Sequence, residues 1–428
     1  MRKKTFFALL LILTAALLFP AAASASSEGL LWTPAETPDK IVVISDIHLG
    51  IDDSFSENAQ NKQLLVDFLQ RLRTNGDVRE LVIAGDFLDE WYLPTSYPPY
   101  TDSSAFYRQV IANSQAVFDE LRQLMASGIK LVYVIGNHDM LLESSILDEA
   151  LPGIVQPRDA GGLGVWYTGD RREIAIEHGH RYDVFSAPDT VTNRELCAGG
   201  QTSLPPGYFY ARAAASWVIQ GRPQVSKAYP AVGAVPNALS QPDQFGAYLY
   251  HQVLSAVFAR VTPKENFEEK ALDIRIDGYS GRYSVCDMFP AVQADGSISA
   301  PVLYKNFQRT WAQRQQINRV KVENTFAQAV AGTLSGDYFF GQAKAQYLND
   351  PEAKIDVAVF GHTHVPMLRQ ADGGKLYINT GTWIDHNTVY PSAARTFTVI
   401  TTGSKDSAAL YAYMQDGKLS DISDSADK

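Results

Sequence analysis

Positive charge is scarce in this 428-residue chain. It has 37 lysines and arginines against 47 aspartates and glutamates, so its formal net charge is −10. This acidic balance argues against nucleic-acid binding through bulk charge. No P-loop and no serine-hydrolase elbow occurs in a suitable context, and no repeat of fixed period is found. With 46% hydrophobic and 20% charged residues, the chain is neither disordered, collagenous nor a many-pass membrane protein.

The apolar run at the N-terminus is too short for a membrane span. Residues 5–19 are apolar, follow the basic segment 2–4, and precede a small-residue run that ends at Ala25. This order is typical of a secretory signal peptide. The alternative is an uncleaved anchor, but a helical span needs ~20 residues. We therefore expect residues 1–25 to be a signal peptide. The mature protein, with three cations fewer and a net charge of −13, would be periplasmic or secreted and without a stable membrane span.

Thiols are also rare, because Cys197 and Cys286 are the two cysteines of the whole chain. A chain of this length can bury an ample core, so it needs neither disulfides nor metals merely to fold. In an oxidising compartment the two cysteines could pair. They could equally be two separate buried thiols, since the sequence does not place them within bonding distance.

Two hydrophobic periodicities alternate along the chain. Short apolar runs predict strands near 41–44, 81–84, 131–135, 173–176, 357–360, 376–378, 396–400 and 409–413. Helical spacing of large apolar residues predicts helices over 64–72 and 110–124. Early strand–helix alternation and successive late strands predict a layered α/β fold with a mixed sheet or two sheets.

The pattern changes between about residues 191 and 350. Prolines punctuate helical segments there, and we interpret 191–349 as a largely helical insertion. It divides a main domain made of residues 38–190 and 350–415. Residues 416–428 are polar and acidic, which predicts a flexible tail.

Residues typical of metal ligands follow five of the predicted strands. The five motifs contain Asp46 and His48; Asp86 and Asp89; Asn137 and His138; His178 and His180; and His362 and His364. Ligands at the carboxyl ends of strands lie where open α/β sheets place their sites. Residues i and i+2 of an extended segment point the same way, so each D-x-H or H-x-H pair can face metal together. Glycines before Asp86, Asn137 and His362 would let the backbone approach closely.

The chemistry of these side chains indicates two metal ions. Imidazole, carboxylate and amide oxygen without thiolate suit Mn, Fe or Zn better than a cysteine-rich structural zinc site. About seven ligands are too many for one ion, and a carboxylate shared by two divalent ions explains the surplus.

Chance is a poor explanation for these motifs. A G-H-x-H motif has a crude chance expectation of ~0.01 in a chain of this composition. Six of the eight histidines lie in the five motifs, and G-N-H-D occurs in order with the rest. A lone D-x-H would be weak evidence, but the ordered set favours a two-metal site over structural histidines.

The order D-x-H, G-D-x-x-D, G-N-H-D, H, G-H-x-H resembles the calcineurin-like metallophosphoesterase superfamily. In motif style it is most similar to the UDP-2,3-diacylglucosamine pyrophosphohydrolase-like branch. The resemblance implies a four-layer α/β/β/α sandwich. It implies one ion held by Asp46, His48, Asp86 and His364, and a second held by Asp86, Asn137, His178 and His362. His138 would face the substrate and Asp89 would orient it. His180 is the alternative to His178, which we favour because it directly follows the strand.

The resemblance also implies a function. A metal-bridging hydroxide would hydrolyse a phosphomonoester, phosphodiester or pyrophosphate bond. His138 would protonate the leaving oxygen or only hydrogen-bond the phosphate. We expect a small phosphorylated substrate, such as a lipid or sugar phosphoester, and no nucleic acid. The alternatives are a catalytically weak metal-bearing binding protein of the cell envelope, or an envelope protein that binds anionic glycan or lipid through the insertion.

Residues 302–322 of the insertion carry five cations and no acid, namely Lys305, Arg309, Arg314, Arg319 and Lys321. One interpretation is a lid beside the metals, whose cations attract an anionic substrate and whose aromatic residues hold its non-phosphate part. The other is a solvated helical face over a small helical core, since runs of charge usually face water.

Overall fold

The computed structural model describes residues 30–426 apart from 198–203, 225–231, 260, 262–263, 265–267, 277–278, 300, 334 and 388–393. The predicted signal peptide lies outside the described residues. Just after it, Trp32 packs against the main core, and its Nε1 donates a hydrogen bond to Asp77 at 3.0 Å. None of the helices in the described ranges is long and apolar enough to cross a membrane.

Strands predicted from the apolar runs are present, together with short edge strands. They are β1 Lys40–Ile44, β2 Val78–Ala84, β3 Lys130–Val134, β4 Trp166–Thr168, β5 Ile174–Ile176, β6 Leu272–Ile276, β7 Tyr279–Tyr283, β8 Val357–Phe360, β9 Met367–Gln370, β10 Leu376–Asn379, β11 Thr396–Thr401, β12 Ser407–Tyr413 and β13 Leu419–Asp421.

Helices fill the connections. They are α1 Lys62–Asn75, α2 Ser103–Asn113, α3 Gln115–Ala126, α4 Ser144–Ala150, α5 Pro206–Ile219, α6 Pro242–Phe258, α7 Phe307–Ile317, α8 Phe326–Gly332 and α9 Gly336–Ala343. A π-helical turn, Lys344–Leu348, continues α9.

Two mixed sheets form the main domain. The first has the order β13-β12-β11-β1-β2-β3, with β1, β2 and β3 parallel and the late strands antiparallel. The second has the order β4-β5-β8-β10-β9, with β5, β8 and β10 parallel between antiparallel edges. Both sheets combine strands from before and after residues 191–349, so the two halves of the chain build one unit.

Strand β1 shows why its sequence is continuously apolar. Val42 and Ile44 belong to the cluster formed with α1 and α3, whereas Ile41 and Val43 belong to the cluster shared with the second sheet. Side chains alternate across a strand, so a strand covered on both faces needs apolar residues at every position.

The second sheet is covered in the same way. Its inward residues join the first sheet, and its outward residues, among them Ala358 and Phe360, pack against Phe339 of α9 and Tyr347 of the π turn. The second sheet therefore shares one cluster with the first sheet and another with α9 and the π turn. The predicted α/β class is confirmed.

The segment 191–349 contains helices α5 to α9 and the hairpin β6–β7. Helices α5 to α8 and this hairpin share an aromatic cluster that includes Tyr208, Phe209 and Trp311. In contrast, α9 and the π turn cover the second sheet. Cys197 and Cys286 are not joined to each other by a disulfide bond.

The basic run 302–322 is divided by the fold. Arg314 is fully buried, where it donates to the carbonyls of Val184 and Ala187 at 3.0 and 2.7 Å and lies 3.3 Å from Asp189. Arg309 is exposed and pairs with Asp243. Arg314 therefore joins α7 to the segment 184–189 and does not present a charge to solvent.

The structure differs from the expectation of a flexible tail at 416–428. Strand β13 pairs antiparallel with β12, and Ala426 is buried against the cluster between the sheets. The polar composition of this segment did not indicate a strand. An edge strand needs few apolar side chains when its backbone pairs with a neighbouring strand.

Candidate metal centre

Five strands deliver the predicted ligands to one place. Because β1, β2 and β3 are parallel, their carboxyl ends lie at the same end of the sheet. The parallel strands β5 and β8 of the second sheet end beside them. Backbone hydrogen bonds join the ends: the Gly361 amide donates to the His178 carbonyl at 3.1 Å, and the His362 amide donates to the Asp46 carboxylate at 3.0 Å.

The first group of side chains converges around Asp46. Nε2 of His364 lies 3.2 Å from Asp46 Oδ1 and 3.1 Å from Nε2 of His48, although the two histidines are 316 residues apart in sequence. Nε2 of His48 is 3.8 Å from Asp86 Oδ2. These four residues are the set expected for the first ion.

The second group converges around Asn137 and shares Asp86 with the first. Asn137 Oδ1 lies 3.0 Å from His178 Nε2 and 2.9 Å from His362 Nδ1. Asp86 Oδ2 is 3.2 Å from His178 Nε2. Asp86 therefore stands between both groups, as expected of a bridging carboxylate.

The spacing of these atoms fits divalent metal ions. Metal–ligand bonds of ~2.0–2.2 Å place neighbouring ligand atoms about 3 to 3.5 Å apart. Most spacings within the two groups, 2.9 to 3.2 Å, agree with that geometry, and the distance of 3.8 Å between His48 Nε2 and Asp86 Oδ2 is longer. The electrostatic potential at the site also favours cations. Burial opposes protonation of His178, but the Asp86 and Asp46 carboxylates outweigh burial and raise the pKa of His178 to about 9. A field that favours a proton also favours a cation.

The backbone at the ligands is unusual. Asp46, His48, Asp86, His362 and His364 all have positive φ values, between 49° and 73°. We expected extended segments at D-x-H and H-x-H, and the structure instead has left-handed residues at these positions. Left-handed backbone is costly for residues other than glycine and persists where the surroundings enforce it, commonly at functional sites.

Glycines give the ligand loops the room that the motifs predict. At Gly136 an added Cβ would overlap the Asp86 carboxylate and amide, and at Gly85 it would overlap the His178 ring. Gly85 also has a φ of 90°, which favours glycine. A side chain at either position would displace a predicted ligand.

Asp89 contacts both a predicted metal ligand and the predicted proton donor. Its Oδ1 lies 2.9 Å from His138 Nδ1, and its Oδ2 lies 2.8 Å from His48 Nδ1. The amides of Trp91 and Tyr92 also donate to Oδ1, both at 2.8 Å. Burial alone would raise the pKa of Asp89, but the adjacent histidines outweigh burial and lower it.

His138 stands at the border between the metal centre and solvent. Its side chain is 15% exposed, its amide donates to Asp86 Oδ1 at 2.8 Å, and its ring stacks on Trp91. Burial would lower the pKa of His138, but the Asp89 and Asp86 carboxylates outweigh it and raise the pKa.

The two candidates of the fourth motif differ clearly. His178 faces Asp86 and Asn137, with Nδ1 fixed 2.8 Å from the Ala84 carbonyl. His180 is buried, and neither ring nitrogen has a hydrogen-bond partner among the described residues. Burial and the neighbouring His178 ring hold its pKa well below the usual value. The geometry therefore favours His178 as the ligand.

Further acids support the centre. Asp183 Oδ2 lies 3.1 Å from His362 Nε2, Glu57 lies 3.6 Å from His48 Nδ1, and Asp139 accepts hydrogen bonds from the amides of Phe87 and Gly136 at 2.8 and 2.7 Å. Such contacts orient ligands and raise their basicity. Asp139 and Asp183 closely follow ligand motifs in the sequence, and this proximity could have identified them as supporting acids. No sequence feature of this kind marks Glu57.

The N-terminal half of the chain is similar to a known protein family. A family model described as calcineurin-like phosphoesterase matches residues 39–209, which include the first four ligand motifs. No curated protein matches significantly. Among solved structures, a dimetal phosphatase from Danio rerio is 11% identical, with 91% of this chain and 99% of that chain covered at a TM-score of 0.34. A phosphopantetheinyl hydrolase from Mycobacterium tuberculosis is 13% identical, with 80% and 89% covered at a TM-score of 0.26.

Proposed function

We propose that the chain is a metal-dependent phosphoester hydrolase whose metal centre is built by the predicted ligands, because the calcineurin-like phosphoesterase model matches residues 39–209 and several groups of ligand side chains converge. The first ion is held by Asp46, His48, Asp86 and His364. The second is held by Asp86, Asn137, His178 and His362. The observation that carries this assignment is the position of Asp86, within 3.2 Å of His178 and 3.8 Å of His48.

When bound, such a metal pair lowers the pKa of a shared water and neutralises phosphate charge. His138 then acts on the leaving group. Asp89 holds Nδ1 of His138, so Nε2 is the ring nitrogen that can give a proton to the leaving oxygen. Asp89 keeps the ring in this orientation and stabilises its protonated form.

We propose Mn, Fe or Zn as the metals, because the donor set is nitrogen and oxygen without sulfur. The reaction is hydrolysis of a phosphomonoester, phosphodiester or pyrophosphate, with a lipid or sugar phosphoester as the class of substrate. The insertion supports a substrate larger than phosphate, since Trp91, stacked on His138, packs edge-on against Tyr208 of α5 at 6.2 Å. A leaving group that takes a proton from His138 as its bond to phosphorus breaks would therefore lie beside the insertion.

We also propose that the protein is exported to the periplasm or secreted. The support is the order of basic residues 2–4, apolar residues 5–19 and the small-residue run that ends at Ala25. Mass spectrometry of the protein recovered from the culture medium or periplasm should find Ser26 as its first residue. An intact N-terminus in the cytoplasmic fraction would contradict it.

Turnover by the purified mature protein tests the function. Mono-, di- and pyrophosphate esters are assayed with Mn²⁺, Fe²⁺ or Zn²⁺ and after chelation. We expect metal-dependent hydrolysis of at least one class. Two tightly bound ions without turnover of any ester would instead favour the metal-bearing binding protein.

A further inference from the structure

A cavity of about 340 Å³ lies beside the second sheet, and none of its lining residues is a predicted metal ligand. It is bounded by the loop 157–167, the segment 319–321 and the π turn. Two lining residues, Tyr182 and Tyr347, belong to the cluster on the outward face of the sheet. The acid in the lining is Asp159, whereas the cations number four. They are Arg158, Arg181, Arg319 and Lys321. In a chain of formal net charge −10, this is an unusual local excess of positive charge.

The acid and one of these arginines are engaged with each other. Arg181 is 4% exposed, and its Nη1 lies 3.3 Å from Asp159 and donates to the Asn318 carbonyl at 3.0 Å. Its Nε lies 2.8 Å from Glu177. Arg181 therefore fixes the backbone that leads to Arg319, and its own charge is neutralised by these acids.

The other three cations are not neutralised by a buried acid. Arg319 is exposed, and its side chain has no hydrogen-bond or ion-pair partner within the part of the chain that the structure describes. The guanidinium of Arg158 donates to two backbone carbonyls, at 3.1 and 3.0 Å, and pairs with no acid among the described residues. Lys321 lies 3.1 Å from Asp350, but its side chain is 57% exposed, so this pair contributes little.

The backbone beneath Arg319 and Lys321 is held in place by buried side chains. Gln346 is 2% exposed, and its oxygen accepts from the amides of Lys321 and Val322 at 3.0 and 3.1 Å. The Asn318 side chain, also buried, donates to a backbone carbonyl at 3.0 Å. A binding site whose charged groups stand on fixed backbone loses less entropy when a ligand binds.

Tyr167 adds a hydroxyl and an apolar wall. Its ring is partly exposed, and its hydroxyl makes no hydrogen bond in the described ranges. Burial raises the pKa of Tyr167, and Lys321 and Arg181 oppose that rise, so both cations lie near the hydroxyl. Pro157 and Val165, which are also partly exposed, continue the apolar wall.

A small organic anion accounts for all of these features. A cation would be repelled, and a purely apolar molecule would take water from the charged groups without replacing its hydrogen bonds. A lone inorganic anion would leave most of the 340 Å³ to water, since one water takes ~30 Å³. Apolar walls with a few polar or charged groups are the usual form of a small-molecule site.

We propose that this cavity binds a small organic oxyanion, such as a sulfonate, phosphate or carboxylate that carries an apolar ring. The charged oxygens lie between Arg319 and Lys321 and accept a hydrogen bond from the Tyr167 hydroxyl. The apolar part packs against Pro157 and Val165. This site is independent of the proposed catalytic assignment, because it uses none of the residues assigned to the metals or to proton transfer.

Isothermal titration of the metal-loaded protein with benzenesulfonate tests the site. We expect saturable binding of one benzenesulfonate per chain. Binding should weaken as salt is added, because salt screens exposed charges. Benzenesulfonamide, the neutral analogue of the same shape, should bind much more weakly.

Variants of the exposed cations locate the binding. Arg319→Gln and Lys321→Gln should each bind benzenesulfonate about tenfold more weakly, the loss expected for one charge-assisted hydrogen bond. Lys305→Gln is the matched control, since it removes the same charge from a side chain that is likewise 57% exposed but lies outside the lining. It should bind like the parent.

The metal centre could also attract an anion, and Asp86→Asn separates the two sites. This variant, expected to lose its metals, should still bind benzenesulfonate like the parent. Four results would overturn the proposal: no saturable binding, equal affinity for the sulfonamide, equal losses in Lys305→Gln and Arg319→Gln, or loss of binding in Asp86→Asn. Arg319→Gln should keep the melting temperature, metal content and ester turnover of the parent, so failure here leaves the catalytic assignment untouched.

Discussion

Trp91 lies against the His138 ring, with ring centroids 4.6 Å apart and planes inclined by 29°. The indole is buried, and it also contacts Tyr208 of the insertion. Stacking on an indole stabilises an imidazolium and limits its rotation. Trp91 is therefore a positioning residue for the predicted proton donor.

Replacing Trp91 tests this role. Trp91→Leu should lower kcat for esters with poor leaving groups by about fivefold, corresponding to a cation–π contact of ~1 kcal/mol. Trp91→Phe keeps an aromatic face and should lose less. Both should retain two metals by elemental analysis. A change confined to KM would show that Trp91 contacts the substrate and leaves His138 unaffected.

Variants of His138 and Asp89 should differ in the amount of metal that they retain. His138→Ala should keep both ions yet lose ~10²–10⁴-fold in turnover, the usual contribution of one acid–base group. Asp89→Asn should lose turnover and also weaken the first ion, because Asp89 contacts His48 at 2.8 Å. Metal content and kcat are measured on the same preparations.

Leaving-group dependence refines this prediction. Esters with good leaving groups need no proton, so they should suffer less from His138→Ala. Equal losses for good and poor leaving groups would mean that His138 only hydrogen-bonds the phosphate.

Asp86→Asn should weaken both ions at once. Its carboxylate lies between the two groups of ligands, and an amide cannot bridge two cations as a carboxylate does. Elemental analysis should find less than one ion per chain, and turnover should fall below detection. The control Asp170→Asn, an exposed acid that pairs with Arg79, should retain both ions. Two ions and full activity in Asp86→Asn would refute the bridge.

Gly136→Ala should disrupt the centre through shape alone. Its Cβ would overlap the Asp86 carboxylate and amide. We expect loss of metal and of turnover, together with a lower melting temperature. Gly341→Ala is the matched control, since a Cβ at this position of α9 meets nothing within 4 Å. Alanine there should stabilise the helix by ~0.5–1 kcal/mol. Normal metal content in Gly136→Ala would show that the loop can move away.

Arg314→Gln should lower the free energy of unfolding. Arg314 is buried beside Asp189, and removing one partner of a buried pair costs ~3–5 kcal/mol. Arg309→Gln removes an exposed charge and should leave the urea midpoint nearly unchanged. Urea denaturation with a parallel measurement of KM checks both. A stable Arg314→Gln variant with a raised KM would instead support the substrate-lid interpretation of the basic run.

The sequence by itself determined the parts of the protein that local patterns encode. The apolar run Ile41–Ile44 predicted a strand, and it forms β1, whose side chains alternate between two buried faces. The ligand motifs were equally local, because glycine, histidine and carboxylate follow each other at the strand ends. These patterns were sufficient for the α/β class and for the candidate ligands.

Only the tertiary structure decided which partners those residues meet. His48 and His364 converge across 316 residues, Asp183 orients His362, and Arg314 is buried beside Asp189. The sequence does not distinguish an arginine that faces solvent from one that is buried beside an acid. The left-handed backbone of Asp46 and His48 likewise contradicts local preference. Such features arise from long-range packing, whose energy depends on neighbours that the local pattern does not name.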